Sequence, residues 1–235
     1  MCNYYIFVNI WYNKKRNIGR NEMIIMEFQV DKNSEVDSWK EVILIYNSAL
    51  KEIGTKLEIL NDEFQHVHQY NPIEHIKSRI KSSESIVKKL KKHGYESTIE
   101  NMVKYVNDIA GIRIICSFTS DIYRIADMLR NQNDIKVLSV KDYIQNPKPS
   151  GYKSYHMLVT LPIFLSDRIV DAKVEIQIRT VAMDFWASLE HKIRYKFEGC
   201  APEHITAELV ECSRMVSELD ARMMSLNEEI QTLDK

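Results

Sequence analysis

Apolar residues recur at alternating spacings of four and three over the first well-patterned part of the chain, from Trp39 to Phe64. Such a repeat places one apolar stripe along a helix. Ser34 precedes it, and serine is a residue type that often begins helices. The spacing therefore predicts a long helix that ends before Asn71-Pro72, because proline disfavours a helical residue in front of it.

Two further helices are predicted before the middle of the chain. One, very basic, runs from about Ile73 to Lys92 and stops at His93-Gly94, and the other lies near Thr98 to Val106. In a helix, the basic segment would place several lysines on one sector: Lys77, Lys81, Lys88 and Lys92. A charge run is usually a solvated face, so this segment alone is only weak evidence for a triphosphate or RNA ligand.

Short runs rich in β-branched residues, typical of strands, fill the middle of the chain. They lie at Gly111–Phe118, Ile135–Tyr143, Tyr155–Leu161 and Lys173–Arg179, with a helix at Asp121–Asn131. The last strand alternates, with Val174, Ile176 and Ile178 on one face and Glu175, Gln177 and Arg179 on the other. This order predicts one α/β core.

Helical spacing returns at Val181–Phe197 and again from about Pro202 to Leu233. The last helix repeats apolar residues at three and four: Leu209, Cys212, Val216, Leu219, Met223, Leu226 and Ile230. Both terminal helices thus carry an apolar stripe, which we call a seam, that extends over more than three heptad-like repeats. These seams either pack on each other or on the sheet, or they form an interface between subunits.

Residues 1–30 are predicted to be an N-terminal extension, peripheral to the fold or the product of a misassigned start codon, and 31–235 to form one domain. The stretch Tyr4–Tyr12 is apolar and aromatic, but asparagines interrupt it. It is too short to span a membrane and lacks a small-residue cleavage site. A peripheral packing strand is the alternative.

Composition narrows the class of protein. The chain has 235 residues, 45% of them hydrophobic and 28% charged, which suits one globular domain. Its net charge of −1 provides no global attraction to nucleic acid or membranes, so a polyanion site must be a local basic patch. The four cysteines form no CxxC pair, which indicates neither a zinc site nor a disulfide framework and favours a reducing compartment.

Three further segments carry chemistry. Asp108 stands just before a predicted strand, where it caps a turn or reaches a metal ion, and Arg113 can stack on a base or grip phosphate. The loop PKPSGYKSYH presents Tyr152 between lysines, beside a glycine that permits a turn. Glu175 lies on a half-solvated strand face, and with Asp108 it would form a carboxylate pair suited to Mg²⁺.

The stretches RIKSSESIVKKL, DIAGIRIIC, KDYIQNPKPSGYKSYH and VEIQIRT follow one another in this order. Together they resemble the synthetase domain of the RelA/SpoT-homology family, in particular its stand-alone RelQ-like small alarmone synthetases. The resemblance runs from about Trp39 to the C-terminus. It implies a mixed β-sheet flanked by helices, of the nucleotidyltransferase type. One departure is Ser150, where the family often has asparagine.

The resemblance also implies an activity: transfer of the β,γ-pyrophosphate of ATP to the 3′-hydroxyl of GDP or GTP with Mg²⁺, releasing AMP and making the alarmone (p)ppGpp. GMP is left open as a further acceptor. The implied ATP-binding residues are Arg79, Lys81, Lys89 and Arg113, the last stacked on adenine. Asp108 and Glu175 would be the catalytic metal ligands, with Glu175 also the base. The implied acceptor residues are Lys141, Lys148, Tyr152, His156 and Gln177, with Tyr152 stacked on guanine.

A different class of function is an RNA-binding module that uses the basic helix and Tyr152. Such a module has no need of Asp108 and Glu175, which would repel phosphates without a metal. No His-Asp dipeptide occurs in the chain, so we expect synthesis of the alarmone without hydrolysis. The resemblance further implies a cytoplasmic homotetramer without a membrane partner. Single-stranded RNA and the alarmone itself are candidate regulators.

Overall fold

The computed structural model describes residues 9–10, 28–29, 35–197 and 201–233. Its elements in chain order are β1 (Asn9–Ile10), β2 (Phe28–Gln29), α1 (Glu35–His68), β3 (Ile73–Ile80), α2 (Ser83–Lys92), α3 (Ile99–Tyr105), β4 (Ala110–Cys116), α4 (Thr119–Arg130), β5 (Lys136–Asp142), β6 (Tyr155–Phe164), β7 (Ile169–Thr180), α5 (Val181–Lys196) and α6 (Glu203–Leu233). The described residues of the predicted extension are β1 and β2, which pair antiparallel; most of that extension lies outside the described residues.

One five-stranded sheet with the order β3-β4-β7-β6-β5 organises the molecule. The central pair β4–β7 is parallel and the other pairs are antiparallel, so the sheet is mixed, as the family resemblance implies. One face of the central strands is apolar and fully buried: Ile112 and Ile114 on β4, and Val174, Ile176 and Ile178 on β7. These residues share a core with α1, α2, α3 and α4, which leaves the opposite face of β4 and β7 for polar side chains.

The predicted basic helix at Ile73–Lys92 is wrong in its first half. Residues 73–80 form the edge strand β3, and the helix begins only at Ser83 after an N-cap at Ser82. A register shift between Ile73 and His75 marks a bulge in this strand. A bulge changes the alternation of faces, so Ile73, Ile76 and Ile80 all contact the core at a spacing that imitates a helix. Lys77 and Lys81 therefore do not share a helical sector with Lys88 and Lys92.

The two terminal seams differ in what they contact. Most of the α1 seam is buried in the core, including Tyr46, Ile53 and Leu57. On α6, Leu209 is buried, but the later seam residues Leu219, Met223, Leu226 and Ile230 are each more than half exposed, at 51–58%. The first alternative, intramolecular packing, thus holds for most of α1, while the α6 stripe from Leu219 onward faces solvent in the single chain.

Two buried polar contacts fasten α6 to the rest of the fold. The Trp186 indole of α5 donates to the Leu209 carbonyl at 2.9 Å. The Thr180 hydroxyl at the end of β7 donates to the Asp220 carboxylate at 2.7 Å. Among the described residues, none of the helices combines the length and apolar character needed to cross a membrane.

Candidate active site

A single row of polar residues crosses the whole sheet on its polar face. Strand pairing puts Lys77 level with Arg113, Arg113 with Gln177, Gln177 with His156, and His156 with Lys141. Since each of the five residues comes from a different strand, the row exists only because of the mixed strand order. Four of its members were predicted site residues: Arg113 for ATP, and Gln177, His156 and Lys141 for the acceptor nucleotide.

Asp108 lies just before β4 and contacts two lysines. Its carboxylate oxygens are 2.6 Å from Lys81 Nζ and 2.7 Å from Lys89 Nζ. Burial alone would raise the pKa of Asp108, but hydrogen bonds and charge from the two lysines outweigh it and lower the pKa below its usual value. Two predicted ATP-binding lysines and one predicted metal ligand are therefore in direct contact, although they come from different segments.

Arg79 and Arg113 extend this basic surface over β3 and β4. The Arg79 side chain lies 3.9 Å from the position that a Cβ would take on Gly111. The Arg113 guanidinium donates through Nη1 to Asp184 Oδ1 at 3.1 Å, while its buried Nε has no hydrogen-bond partner among the described residues. Burial and then the charge of Arg179 lower the pKa of Arg113, so two guanidinium groups share this face.

The segment from Asp142 to Ser154, which we call the acceptor loop, is fixed by its own backbone. A turn closes where the Gly151 amide donates to the Lys148 carbonyl at 2.8 Å. Gly151 has φ +87°, a conformation that other residues rarely adopt. Its carbonyl accepts from the Ser213 hydroxyl of α6 at 2.5 Å, and a Cβ on Gly151 would stand 2.7 Å from Ser213 Cβ.

Tyr152 follows this turn and sits among aromatic and cationic groups. Its hydroxyl is 2.6 Å from Arg179 Nη2, which donates to it, and 2.8 Å from His156 Nε2. Lys148 Nζ lies 4.7 Å from the Tyr152 ring centre and 4.6 Å from that of Tyr143. The Tyr143 and Tyr152 rings meet edge to face at 6.0 Å.

His156 is held in its neutral form. Burial, followed by the charges of Arg179, Lys148, Lys141 and Arg113, lowers its pKa to about 3. A neutral imidazole accepts at one nitrogen and donates at the other. The Tyr152 hydroxyl and His156 Nε2 share one hydrogen bond, whose direction is set by the imidazole tautomer, and Nδ1 lies on the side of Glu175, 3.9 Å from its Oε1.

Glu175 lies on the same face of β7, level with Gly111 of β4. Its Oε2 accepts from Gln177 Nε2 at 2.9 Å, and Gln177 Oε1 accepts from Arg179 at 3.2 Å. Within the described part of the chain, His, Cys, Asp and Glu form no group of three or more that could hold a metal ion. The carboxylates of Asp108 and Glu175 nevertheless suit Mg²⁺, which commonly binds through one or two carboxylates plus substrate phosphates.

The structure joins most of the predicted residues through the row, through the contacts of Tyr152 and through those of Asp108, and it adds residues that the sequence did not reveal. The predicted set occupies β3 and the residue after it (Arg79, Lys81), α2 (Lys89), the turn before β4 (Asp108), β4 (Arg113), β5 (Lys141), the acceptor loop (Lys148, Tyr152), β6 (His156) and β7 (Glu175, Gln177). The missed residues are Tyr143, Asp184 and Ser213, together with the contacts of Arg179. Of these residues, only Tyr143 and Arg179 could have been found from the sequence, because both lie in the motifs quoted above.

A separate cavity of about 770 Å³ lies between the ends of α1 and α6 and the start of α4. Phe64, Tyr70, Asp121 and Arg124 line it, and none of the predicted site residues does. Asp121 is explained structurally, since it accepts from the Tyr70 hydroxyl at 2.6 Å and from the Phe118 amide at 3.2 Å. The candidate active site is instead the open polar face of the sheet.

Comparisons with known proteins show the family of the chain. A family model described as a region found in RelA / SpoT proteins matches residues 78–199. GTP pyrophosphokinase YwaC of Bacillus subtilis (strain 168) is 47% identical over 200 residues, covering 85% of this chain and 95% of YwaC.

Solved structures agree with the sequence matches. The crystal structure of small alarmone synthetase 2 from Bacillus subtilis superposes with a TM-score of 0.75 at 46% identity, covering 81% of this chain and 98% of that one. Small alarmone synthetase 1 from the same organism, bound to its product pppGpp, has a TM-score of 0.75 at 34% identity, with 83% and 98% covered. Its complex with AMPCPP has a TM-score of 0.71 at 32% identity, with 83% and 99% covered. This chain belongs to the RelA/SpoT family, among its small alarmone synthetases.

Proposed function

We propose that this protein transfers the β,γ-pyrophosphate of ATP to the 3′-hydroxyl of GDP or GTP, releasing AMP and forming (p)ppGpp. The observation that carries the proposal is the row across the sheet, which puts Arg113 on the same face as the acceptor residues Gln177, His156 and Lys141. Two nucleotides bound along this row would meet beside Glu175. The names and ligands of the related synthetases support the same chemistry.

The donor half of the site would hold ATP. Arg79, Lys81 and Lys89 supply positive charge for its phosphates, and Arg113 presents a planar guanidinium for stacking on adenine. Asp108 keeps Lys81 and Lys89 together before a ligand arrives.

The acceptor half would hold the guanine nucleotide. Tyr152 would offer its ring to guanine, and Lys141 and Lys148 would supply counter-charge for the phosphates. Neutral His156 orients the Tyr152 hydroxyl and leaves its other nitrogen directed at Glu175. Gln177 holds the Glu175 carboxylate by a hydrogen bond, which fixes the direction of its free lone pairs.

The chemistry follows from positioning and charge. Asp108 and Glu175 would hold Mg²⁺, which when bound neutralises charge that develops on the transferred phosphates. Glu175 would take the proton of the 3′-hydroxyl as that oxygen attacks the β-phosphorus of ATP, a contribution of about 10²–10⁴ in rate. Arginine and lysine side chains hold the two nucleotides in line, which supplies much of the remaining acceleration.

Product analysis tests the proposal. The purified protein is incubated with ATP, Mg²⁺ and either GMP, GDP or GTP, and the nucleotides are separated by anion exchange. We expect AMP and a 3′-pyrophosphorylated guanine nucleotide in equal amounts, and no loss of that product when ATP is exhausted. Release of free pyrophosphate or of ADP in place of AMP would contradict the proposed transfer.

We also propose that the protein works as a homotetramer in the cytoplasm. The exposed stripe of α6 supports an assembly, because an apolar stripe along a helix of this length needs a partner. Single-stranded RNA and the alarmone remain candidate regulators of the protein. The single domain at 31–235 likewise remains a prediction, which activity of a protein lacking residues 1–22 would support.

A further inference from the structure

Asp184 was not among the residues that the sequence singled out, yet it contacts both halves of the site. It lies in the first turn of α5, directly after β7. Its Oδ1 accepts from Arg113 Nη1 at 3.1 Å and from Arg179 Nη1 at 3.0 Å. One carboxylate oxygen thus bridges two guanidinium groups from neighbouring parallel strands.

The second of these groups, Arg179, needs such a partner. It is only 4% exposed, and a buried guanidinium without a counter-charge is strongly destabilising. Arg113 lies nearby with the same charge, and the repulsion between them contributes to the lowered pKa of Arg113. A carboxylate at the start of a helix is also favoured by the helix dipole. Asp184 therefore holds the guanidinium groups of Arg113 and Arg179 close together despite their like charge.

Arg179 also contacts the acceptor loop. Its Nη2 donates to the Tyr152 hydroxyl at 2.6 Å, and its Nε donates to Ser154 Oγ at 3.4 Å. The guanidinium carbon is also 5.0 Å from the centre of the Tyr152 ring. A continuous chain of hydrogen bonds consequently runs from Arg113 through Asp184 and Arg179 to Tyr152.

We propose that Asp184 is a positioning residue that couples the adenine-binding arginine to the guanine-binding tyrosine, so that each nucleotide favours binding of the other. The inference rests on the proposed roles of Arg113 and Tyr152. When ATP fixes Arg113, the shared carboxylate fixes Arg179 and hence Tyr152 before the acceptor arrives. The acceptor then loses less freedom on binding, which is positive coupling between the two sites.

Calorimetric titration of the full chain measures this coupling without turnover. AMPCPP and GDP are titrated separately and then each in the presence of the other at saturation. In the wild type we expect each to tighten the other by about fivefold or more, and by the same factor in both directions because coupling is reciprocal. In Asp184→Asn we expect this factor to fall below about twofold while each nucleotide alone binds within about tenfold of the wild type.

Matched variants separate coupling from mere stability. Asp127→Asn removes an equal charge from an exposed pair on α4 and should keep the wild-type factor. Asp184→Glu retains the charge and should restore part of the coupling. This variant also tests the role of the carboxylate position if the asparagine variant folds poorly. Arg179→Lys should lower the factor as well, and combining it with Asp184→Asn should lower it no further, because both act in one chain.

Two results would overturn the inference: a wild type that binds both nucleotides independently, or an Asp184→Asn protein with undiminished coupling. Either could occur while the wild type still makes AMP and the alarmone, so the proposed function would survive. Failure of the proposed function would instead appear in the product analysis of the wild type.

Discussion

Gly151 is the point where the acceptor loop meets α6, and Gly151→Ala tests whether that contact positions the acceptor nucleotide. An alanine there must adopt φ +87°, and left-handed backbone costs a residue with a Cβ about 1–2 kcal/mol. Its Cβ would also stand 2.7 Å from Ser213 Cβ and 3.0 Å from Ser213 Oγ. The loop must therefore move away from α6.

That movement breaks the hydrogen bond from the Ser213 hydroxyl to the Gly151 carbonyl, a net loss of about 0.5–1.5 kcal/mol. Together the two costs come to roughly 1.5–3.5 kcal/mol. At 1.4 kcal/mol per factor of ten, KM for GDP should rise roughly ten- to three-hundred-fold. KM for ATP should stay near the wild-type value, since the donor residues do not contact this turn.

Initial rates of AMP release, with GDP varied at saturating ATP, measure the effect. Ser213→Ala removes the hydroxyl alone and should raise KM for GDP only about two- to tenfold. Ser213→Gly combined with Gly151→Ala removes the overlap but keeps the backbone strain, so it should recover part of the loss. A Gly151→Ala enzyme with wild-type KM for GDP, or one that loses ATP and GDP affinity equally, would refute the positioning role of this contact.

Four further outcomes are expected. Asp108→Asn should abolish AMP release while the circular dichroism spectrum stays unchanged, because it removes a proposed Mg²⁺ ligand from a site that two lysines flank. Tyr152→Ala should raise KM for the acceptor by one to two decades, since base stacking is worth about 1–3 kcal/mol, and Tyr152→Phe should fall between because the hydroxyl has two partners. Changing Leu219 and Leu226 together to Glu should reduce the mass measured by light scattering if α6 forms the subunit interface. The pKa of His156 is about 3 in the fold against 6.5 in its unperturbed form, so the unfolded chain binds an extra proton and the folded state loses stability as the pH falls between these values. The free energy of unfolding, measured by denaturant titration at pH 7 and pH 5, should therefore fall by about 2 kcal/mol less in His156→Asn than in the wild type.

Local pattern was enough to predict most of the secondary structure. The strand predicted at Gly111–Phe118 agrees with β4 to within two residues at both ends. The strand predicted at Lys173–Arg179 lies inside β7, which begins four residues earlier, at Ile169. The helix predicted at Ile73–Lys92 failed where a bulged edge strand carries isoleucines at helical spacing. Periodicity cannot separate these cases, because the signal is the spacing of apolar residues and a bulge alters that spacing without altering the composition.

The site could be predicted only as far as its residues lie in the motifs. Asp184 contacts Arg113 across 71 residues of sequence, and Ser213 contacts Gly151 across 62. Each is an ordinary polar residue in a helix, and nothing near it in sequence indicates a role. Such contacts arise from the order of strands and the docking of α5 and α6, which the residues of a motif do not encode.

The arrangement of α6 links assembly to the acceptor site. Ser213 and Asp220, two turns apart, lie on one face of the helix, where they hold Gly151 and Thr180. Leu219, Leu226 and their neighbours lie on a different face and are exposed in the single chain. A second subunit packed on that stripe would restrain the same helix that holds the acceptor loop. Hence a change in KM for GDP that accompanies dissociation of the assembly, with KM for ATP constant, is the behaviour this helix predicts.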